Sequence, residues 1–305
     1  MAVRVVPKWE RSKKKSGIRV LSYFNGISCG QLALDRAGVP VSSYESLEID
    51  DNAIKITQHH FPHTIQLGDV TKVDFRNISV PDLLIGGSPC QDLSIAGNRL
   101  GLYGPQSRLF FEYVRALRKL KPEFWFFENV TTKTWEDIMS NELGVGPVHI
   151  NSNLVSAQNR KRSYWTNIPN VTIPEDKGIL IKDIVYDNSY KVFQDNRVEK
   201  TKKITKNYVC WDLPELGHWS QAHRAYFQNN KLCTISTHNF YNLVVNAEKN
   251  IFRKVHPIEL ERCQTLPDNY TNVPGISLSN RVKAIGNGWT VDVVAHIFKN
   301  LKGLI

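Results

Sequence analysis

From residue 18 onward the sequence alternates short apolar, strand-like runs with helical stretches, and this alternation limits which folds the chain can adopt. The predicted strands cover residues 18–24, 44–49, 80–86, 123–129, 148–151 and 162–167. The predicted helices cover residues 31–37, 51–60, 106–120 and 291–298. Repeated strand–helix units predict an α/β fold with an open parallel sheet and helices on both faces. Such sheets bind ligands beyond the carboxyl ends of their strands.

The chain divides into three predicted parts. Residues 1–17 form a basic arm without apolar periodicity, which suits either a solvated tail or contact with phosphates. Residues 18–172 together with 277–305 form the predicted larger domain. Residues 173–276 mix lysines and asparagines with aromatics, lack a sustained period, and predict a second, smaller and irregular domain. The net charge of +10 is compatible with binding nucleic acid, although charge alone does not establish it.

Cysteine usage and hydropathy exclude several classes of protein. The five cysteines form no C-x-x-C pair, so we expect reduced thiols and no disulfide framework or zinc motif. The longest apolar runs are too short to cross a bilayer, and the N-terminus carries no apolar signal-peptide core. We therefore expect a protein without a membrane or metal partner inside the cell that makes it, in the cytoplasm or, in a eukaryote, the nucleus.

The first predicted strand ends in a glycine-containing turn, which includes Phe24, Asn25 and Gly26 and leads to Gly30. Glycines at a strand-to-helix turn let a ligand approach the backbone, and a helix N-terminus favours negative charge. The turn lacks the G-x-G-x-x-G pattern of dinucleotide-binding proteins. By itself it predicts only a weak nucleotide-like site.

Acidic residues follow at the end of the next strand and in a later turn. Glu48 has the spacing at which such folds place a carboxylate on a ribose diol, although a helix N-terminus also favours a surface carboxylate there. Asp69 suits either acceptance from an adenine amino group or an ordinary turn.

Three segments carry reactive or charged side chains. Cys90 lies between a strand end and a glycine-rich loop, a position suited to reaction more than to packing. Glu128 ends an aromatic strand, where a carboxylate is costly unless it is paired or used. Arg160 and Arg162 are two apart on an extended segment, so their side chains point the same way, toward a phosphate or a carboxylate. Each feature taken singly also fits a structural ion pair or a core residue.

Together these motifs resemble the DNA cytosine-C5 methyltransferase family in order and spacing. Residues 89–91 (Pro-Cys-Gln) and 128–130 (Glu-Asn-Val) match its two catalytic motifs, and 158–162 match a third. Residues 261–268 and 286–291 look like its last two motifs. The resemblance covers nearly the whole chain from residue 18 and is weakest at about 173–232. The nearest pattern is that of the catalytic domains of the vertebrate de novo DNA methyltransferases.

The resemblance implies an S-adenosylmethionine-dependent enzyme with a Rossmann-like sheet that flips a cytosine out of duplex DNA. It implies that Cys90 bonds to C6 of the base while Glu128 and Asn129 act at the N3 edge. Arg162 would contact O2, and Arg160 would contact Glu128 or a phosphate. The implied cofactor contacts come from Phe24, Asn25, Gly26, Gly30, Glu48, Ile49, Asp69, Val70, Pro89, Asn287 and Trp289. Asn25 replaces the usual Asp, and Trp289 interrupts the usual last motif.

The resemblance also implies a mobile loop, residues 94–105, that closes over the target base, and a small domain that reads the DNA sequence. The implied DNA contacts are Ser94, Ile95, Ala96, Arg99, Arg224, Lys231, Thr234, His238 and Asn239. His238 stands where the vertebrate enzymes have a guanine-reading arginine. Because a neutral imidazole cannot make that two-donor contact, we expect no simple CpG preference through it.

Other interpretations remain open from the sequence. An RNA cytosine methyltransferase would use the same scaffold, but the second domain lacks a recognisable transfer-RNA pattern. A catalytically inactive DNA-binding relative would lack the cysteine or the glutamate, and this chain keeps both. A dehydrogenase would leave Pro-Cys-Gln unexplained. The recognised DNA sequence, a restriction partner and the oligomeric state are not predicted.

Overall fold

The computed structural model of the chain describes residues 17–89, 107–130, 132–194, 203–210, 224–237 and 241–305. Its larger sheet has seven strands in the spatial order β3-β2-β1-β4-β5-β7-β6. These strands are β1 (Ile18–Tyr23), β2 (Val41–Leu47), β3 (Ile65–Gln66), β4 (Leu83–Gly86), β5 (Phe124–Asn129), β6 (Val148–Asn151) and β7 (Lys161–Thr166). All six predicted strands are therefore present, with ends that differ by at most three residues.

Strand direction departs from the prediction at one place. Strands β1 to β5 pair in parallel, but β7 runs antiparallel to both of its neighbours, β5 and β6. Residues 152–160 join β6 to β7, and this connection is shorter than the dozen or more residues that a parallel crossover needs. The predicted α/β class is confirmed, and the all-parallel arrangement is wrong for this strand.

Helices cover both faces of the larger sheet, as predicted. The α-helices are α1 (Cys29–Ala37), α2 (Asp51–His60), α3 (Phe110–Leu120), α4 (Lys133–Leu143), α5 (Ile181–Ile184), α6 (Pro257–Cys263), α7 (Leu278–Asn287) and α8 (Val291–Phe298). Helix α4 lies outside every predicted element. Its buried side chains, Met139 and Leu143, are only one turn apart, which gives a weak periodic signal.

Two apolar clusters lie on opposite faces of this sheet because successive strand residues point to opposite sides. Leu84 and Phe127 pack with helices α3 and α4 in one cluster. Their neighbours Ile85 and Phe126 belong to the other, which includes side chains of α1 and α8. Helices α1 and α8 also pack against each other, so the C-terminal helix contacts the helix that follows the first strand.

Among its described residues, the region predicted to be irregular contains a second sheet of six strands, in the order β8-β13-β12-β11-β10-β9. These strands are β8 (Val192–Gln194), β9 (Lys203–Ile204), β10 (Tyr208–Cys210), β11 (Arg224–Tyr226), β12 (Asn242–Asn246) and β13 (Ile251–Lys254). Strands of two to five residues are too short to show an alternating pattern, which is why the sequence did not reveal them. The domain boundaries themselves remain predictions.

A buried ion pair fixes the end of the second sheet to the helix that follows it. Arg253 on β13 donates to both carboxylate oxygens of Glu259 on α6 at 2.9 and 2.8 Å, and both side chains are almost fully buried. Across the described ranges, no helix combines the length and the apolar character needed to cross a bilayer.

Candidate active site

A cavity of about 620 Å³ opens at the carboxyl ends of β1, β2, β4 and β5. This volume lies in the range of about 300–1,000 Å³ that is typical of small-molecule sites. Apart from Gly30, every residue that we predicted to contact the cofactor lines the cavity: Phe24, Asn25, Gly26, Glu48, Ile49, Asp69, Val70, Pro89, Asn287 and Trp289. The cavity is therefore where the resemblance predicts the cofactor site.

The turn that joins β1 to helix α1 has a strained backbone. Phe24 and Ser28 both have positive φ, at 56° and 60°, and Gly26 adopts 57°. The Asn25 side chain is buried, donates to Ser28 Oγ at 2.8 Å and accepts from the Tyr44 hydroxyl at 3.0 Å. Asn25 therefore holds the turn together, a role that its amide can fill and that an aspartate, lacking the donor, cannot fill in the same way.

Gly30 is not among the residues that line the cavity, and its contact with the cofactor stays a prediction. A Cβ at this position would lie 2.5 Å from Ile85 Cδ1 and 3.1 Å from Trp289 Cζ3. The absence of a side chain lets α1 pack closely on β4 and on Trp289. Gly30 thus shapes the cavity indirectly, by allowing the Trp289 ring to reach its place.

The Glu48 carboxylate is held at the end of β2 by three backbone amides. Oε2 accepts from Gly26 at 2.7 Å, and Oε1 accepts from Ile49 and Asp50 at 2.8 and 2.9 Å. A carboxylate offers about four acceptor positions, so Oε2 keeps capacity for one more donor. Beside it, the Ile49 side chain is 72% exposed, an unusual condition for an apolar residue that lines a cavity.

Asp69 begins the short 3₁₀ turn Val70–Lys72 at the rim of the cavity. Its Oδ1 accepts from the Thr71 amide at 2.9 Å and from the Thr71 hydroxyl at 2.8 Å. These hydrogen bonds, the backbone one first, hold the pKa of Asp69 below its ordinary value. The carboxylate is therefore ionised at neutral pH and able to accept a hydrogen bond from a ligand.

Glu128, at the end of β5, forms an ion pair with Arg162 of β7. Arg162 Nε lies 3.1 Å from Glu128 Oε1, and each side chain is 11% exposed. A Cβ on Gly87 would lie 3.0 Å from Glu128 Oε2, so the carboxylate directly adjoins the strand end that leads to Cys90. Cys90 itself, and the loop with Ser94, Ile95, Ala96 and Arg99, lie outside the described residues.

Asn129 and Arg160 have partners other than those we predicted. The Asn129 amide donates to the carbonyl and hydroxyl oxygens of Ser88, at 3.2 and 2.9 Å, and so supports the chain just before Cys90. Arg160 is 4% exposed and donates to the backbone carbonyls of residues 235, 286 and 288. Arg162, not Arg160, is the arginine on the Glu128 carboxylate. Arg160 precedes β7 and Arg162 lies within it, and the two side chains do not share a partner as the spacing predicted.

The predicted DNA contacts that are described turn largely toward the protein. The Lys231 ammonium binds the carbonyls of Asn153 and Ser156, and burial lowers its pKa. The Thr234 hydroxyl donates to the Asn159 carbonyl at 2.6 Å. The Arg224 guanidinium lies 5.0 Å from the centre of a tyrosine ring, that of Tyr208. His238 and Asn239 lie outside the described residues.

Lys231 and Thr234 thus hold residues 231–234 against residues 153–159. Their contact with DNA stays a prediction.

One ion pair at the cavity was missed by the sequence-based predictions. Lys283 of α7 binds Asp50, the N-cap of α2, with Nζ 2.9 Å from Oδ2, and both residues line the cavity. Burial disfavours the Asp50 carboxylate, but the hydrogen bonds from Lys283 and from the Asn52 amide outweigh it and lower its pKa. The available signal was that Lys283 lies one turn before Asn287 on the same helical face.

Comparison with known proteins identifies the family to which this chain belongs. The structure of the Entamoeba histolytica methyltransferase EhMeth matches with a TM-score of 0.71 at 16% identity, over 94% of this chain and 98% of that one. At this identity the match shows a shared methyltransferase fold. The family description "C-5 cytosine-specific DNA methylase" matches residues 18–232 and 132–303. The chain belongs to that family and is by class a DNA cytosine methyltransferase.

Two relatives differ in how much of their length is shared. The type II methyltransferase M.HhaI of Haemophilus parahaemolyticus is 27% identical over 327 aligned positions, covering 95% of this chain and 96% of that protein. The orphan methyltransferase M.SPRI of Bacillus phage SPR is 41% identical over 115 residues, which span 37% of this chain but only 26% of the phage protein. The closer resemblance to vertebrate de novo enzymes stays a prediction.

Proposed function

We propose that this chain transfers a methyl group to C5 of a flipped cytosine in duplex DNA. The observation that carries the proposal is the position of Glu128. Its carboxylate is paired with Arg162 and adjoins Gly87. Glu128 lines the same cavity as Glu48, which lies at the end of another strand. A carboxyl group that can face a base and a carboxylate suited to a ribose thus share one cavity. Full-length similarity to a protein named as a type II methyltransferase supports the same function.

The family and fold imply use of S-adenosylmethionine, which supplies an electrophilic methyl group when bound. The cavity fits that molecule in two respects. Glu48 Oε2 has acceptor capacity for a ribose hydroxyl, because three amides occupy the other positions. The exposed Ile49 side chain offers an apolar surface for a flat ring, and Asp69 offers an ionised acceptor for an amino group. Asn287 and Trp289 would enclose the opposite side.

The chemistry proposed for the base begins with attack of the Cys90 thiolate on C6, which forms an S–C6 bond and makes C5 nucleophilic. Glu128 would donate a hydrogen bond or proton at N3 and offset the negative charge on the ring. Arg162 holds Glu128 in position and would reach O2 from the same side. Transfer to C5 would break the methyl–sulfur bond of the donor, whose electrons stay on sulfur as S-adenosylhomocysteine leaves. A base would then remove the C5 proton, the C5–H electrons would restore the C5=C6 bond, and the S–C6 electrons would return to sulfur and release Cys90.

Recognition of the DNA is assigned to residues 173–276, which include the second sheet. The chain carries 39 Lys and Arg against 29 Asp and Glu, an excess that suits a phosphate backbone. The basic arm and the loop after Cys90 would add contacts. Because Lys231 and Thr234 bind backbone carbonyls, Arg224, His238 and Asn239 are the preferred candidates for reading bases in this region.

The test compares substrates and catalytic variants of the full chain. Wild-type protein with radiolabelled S-adenosylmethionine should label duplex DNA, and digestion to nucleosides should place the label in 5-methylcytosine. Transfer RNA is the matched competitor, because the same scaffold would serve an RNA methyltransferase. Label in transfer RNA with none in duplex DNA would overturn the proposal, as would full activity in Cys90→Ala.

A further inference from the structure

Three backbone carbonyls from two separate segments meet at the guanidinium of Arg160. Nη1 donates to the carbonyl of Ile235 at 3.0 Å, and Nη2 donates to the carbonyls of Gly286 and Gly288 at 3.2 and 3.0 Å. Gly286 and Gly288 flank Asn287, which lines the cofactor cavity. Ile235 belongs to residues 234–237, which we call the recognition segment because it leads directly to His238. One buried side chain therefore joins the cavity wall to the recognition segment.

The recognition segment also touches the cavity wall through the backbone itself. A Cβ on Gly286 would lie 2.5 Å from the carbonyl carbon of Ser236 and 2.8 Å from the amide nitrogen of Thr237. Separations below about 3 Å do not occur for real Cβ atoms, so only glycine permits this approach. Because backbone cannot rotate away as a side chain can, a shift on either side must move the other.

Further hydrogen bonds hold the recognition segment against residues 158 and 159, which directly precede Arg160. The Thr234 hydroxyl donates to the Asn159 carbonyl at 2.6 Å, and the Ile235 amide donates to Gln158 Oε1 at 3.3 Å. Gln158 in turn donates to Gln264 Oε1 at 2.8 Å. Gln264 donates to the carbonyl of Gly288 at 3.1 Å, which closes the network on the cavity wall.

We propose that Arg160 and Gly286 are positioning residues that couple the cofactor cavity to DNA sequence recognition. A ligand that contacts Asn287 fixes residues 286–288, and these fix the recognition segment through Arg160 and through the close approach at Gly286. Linkage requires the effect to be reciprocal, so DNA must change cofactor affinity by the same factor. The inference rests on the proposed function, since it takes the substrate to be duplex DNA.

The experiment uses the full chain with S-adenosylhomocysteine and a random-sequence duplex library as probes. The test variants are Gly286→Ala, which forces the two backbones apart, and Arg160→Lys, which keeps the charge but loses the planar fork. Gly146→Ala is the matched control, because a Cβ there would meet no described atom within 4 Å. Arg118→Lys is the control for the second variant, since Arg118 is 66% exposed.

Calorimetry gives the Kd of S-adenosylhomocysteine with and without duplex, and bisulfite sequencing of the methylated library gives the sequence preference. For wild type and both controls, we expect duplex to change the Kd by about fivefold or more. In Gly286→Ala and Arg160→Lys the ratio of the two Kd values should approach one, and the sequence preference should broaden.

A merely structural role predicts something different: both Kd values rise together while their ratio and the sequence preference stay as in wild type. That result in either folded test variant would overturn the coupling. If wild type labels no duplex DNA, the proposed function fails, which is a separate result. If Gly286→Ala does not fold, the outcome for Arg160→Lys decides.

Discussion

The ion pair between Glu128 and Arg162 predicts opposite effects from its two halves. Glu128→Gln keeps the size of the side chain and an oxygen near Arg162 Nε, which lies 3.1 Å from Glu128 Oε1 in the wild type. We expect this variant to fold normally and to lose turnover by about 10²–10⁴-fold, the usual contribution of general acid–base assistance. Arg162→Met instead leaves a buried carboxylate without its cation, so its principal effect should be on stability.

The size of that effect follows from burial. Removing one partner of a buried ion pair costs about 3–5 kcal/mol, because the remaining charge stays desolvated. Each side chain here is 11% exposed, so some water reaches the pair and the lower value, about 3 kcal/mol, applies. At about 2 °C per kcal/mol for a large domain, the melting temperature should fall by about 6 °C.

The double variant Glu128→Gln/Arg162→Met makes the test sharper. It removes both charges, so most of the lost stability should return although the enzyme stays inactive. Thermal unfolding measures stability, and transfer of a radiolabelled methyl group to duplex DNA measures turnover. Glu142→Gln is the control, because Glu142 pairs with Arg118 at the surface and should affect neither measurement. The reasoning is refuted if Arg162→Met has the melting temperature of wild type. It is also refuted if the double variant has the same melting temperature as Arg162→Met.

Three more predictions follow from the cavity and the charge. Lys283→Met removes the ion pair with Asp50 and should raise the Kd of S-adenosylhomocysteine at most about fivefold. The limit follows because exposed ion pairs contribute about 0.2–1 kcal/mol. The control Lys55→Met should leave the Kd unchanged. Gly30→Ala forces a Cβ into β4 and should lower the free energy of unfolding in urea by about 1–3 kcal/mol, with Gly146→Ala as its neutral control. Affinity for duplex DNA should fall steeply between 50 and 200 mM salt, by about 10³-fold if six phosphates are neutralised, and a flat response would contradict a DNA footprint.

Patterns within one strand and the turn that follows it predicted several of the residues that line the cavity. Glu48 and Glu128 were predicted because each follows a short apolar run, and the carboxyl ends of parallel strands lie at one edge of a sheet. Asp69 was predicted from its turn, whereas Pro89 and Asn287 were implied by the family resemblance, and all three line the cavity. Nothing in this reasoning required knowledge of how distant segments pack.

Side-chain partners could not be predicted in the same way. Arg160 and Arg162 are two residues apart, yet one binds carbonyls more than a hundred positions along the chain and the other binds Glu128. The close packing of Gly30 of α1 on Trp289 was not predicted for a similar reason, since it joins opposite ends of the sequence. Such pairings depend on the assembled fold, and no local pattern encodes them.

The most direct measurement of the central claim is covalent capture by a duplex that carries 5-fluorocytosine. Fluorine cannot leave C5 as a cation, so the S–C6 bond persists after methyl transfer. Incubated with S-adenosylmethionine and this duplex, wild type and Cys233→Ala should both form an adduct that survives denaturing electrophoresis, with peptide mapping to Cys90. Cys90→Ala should form none. An adduct in Cys90→Ala, or methylated duplex from wild type without any adduct, would contradict attack by Cys90 on the cytosine ring.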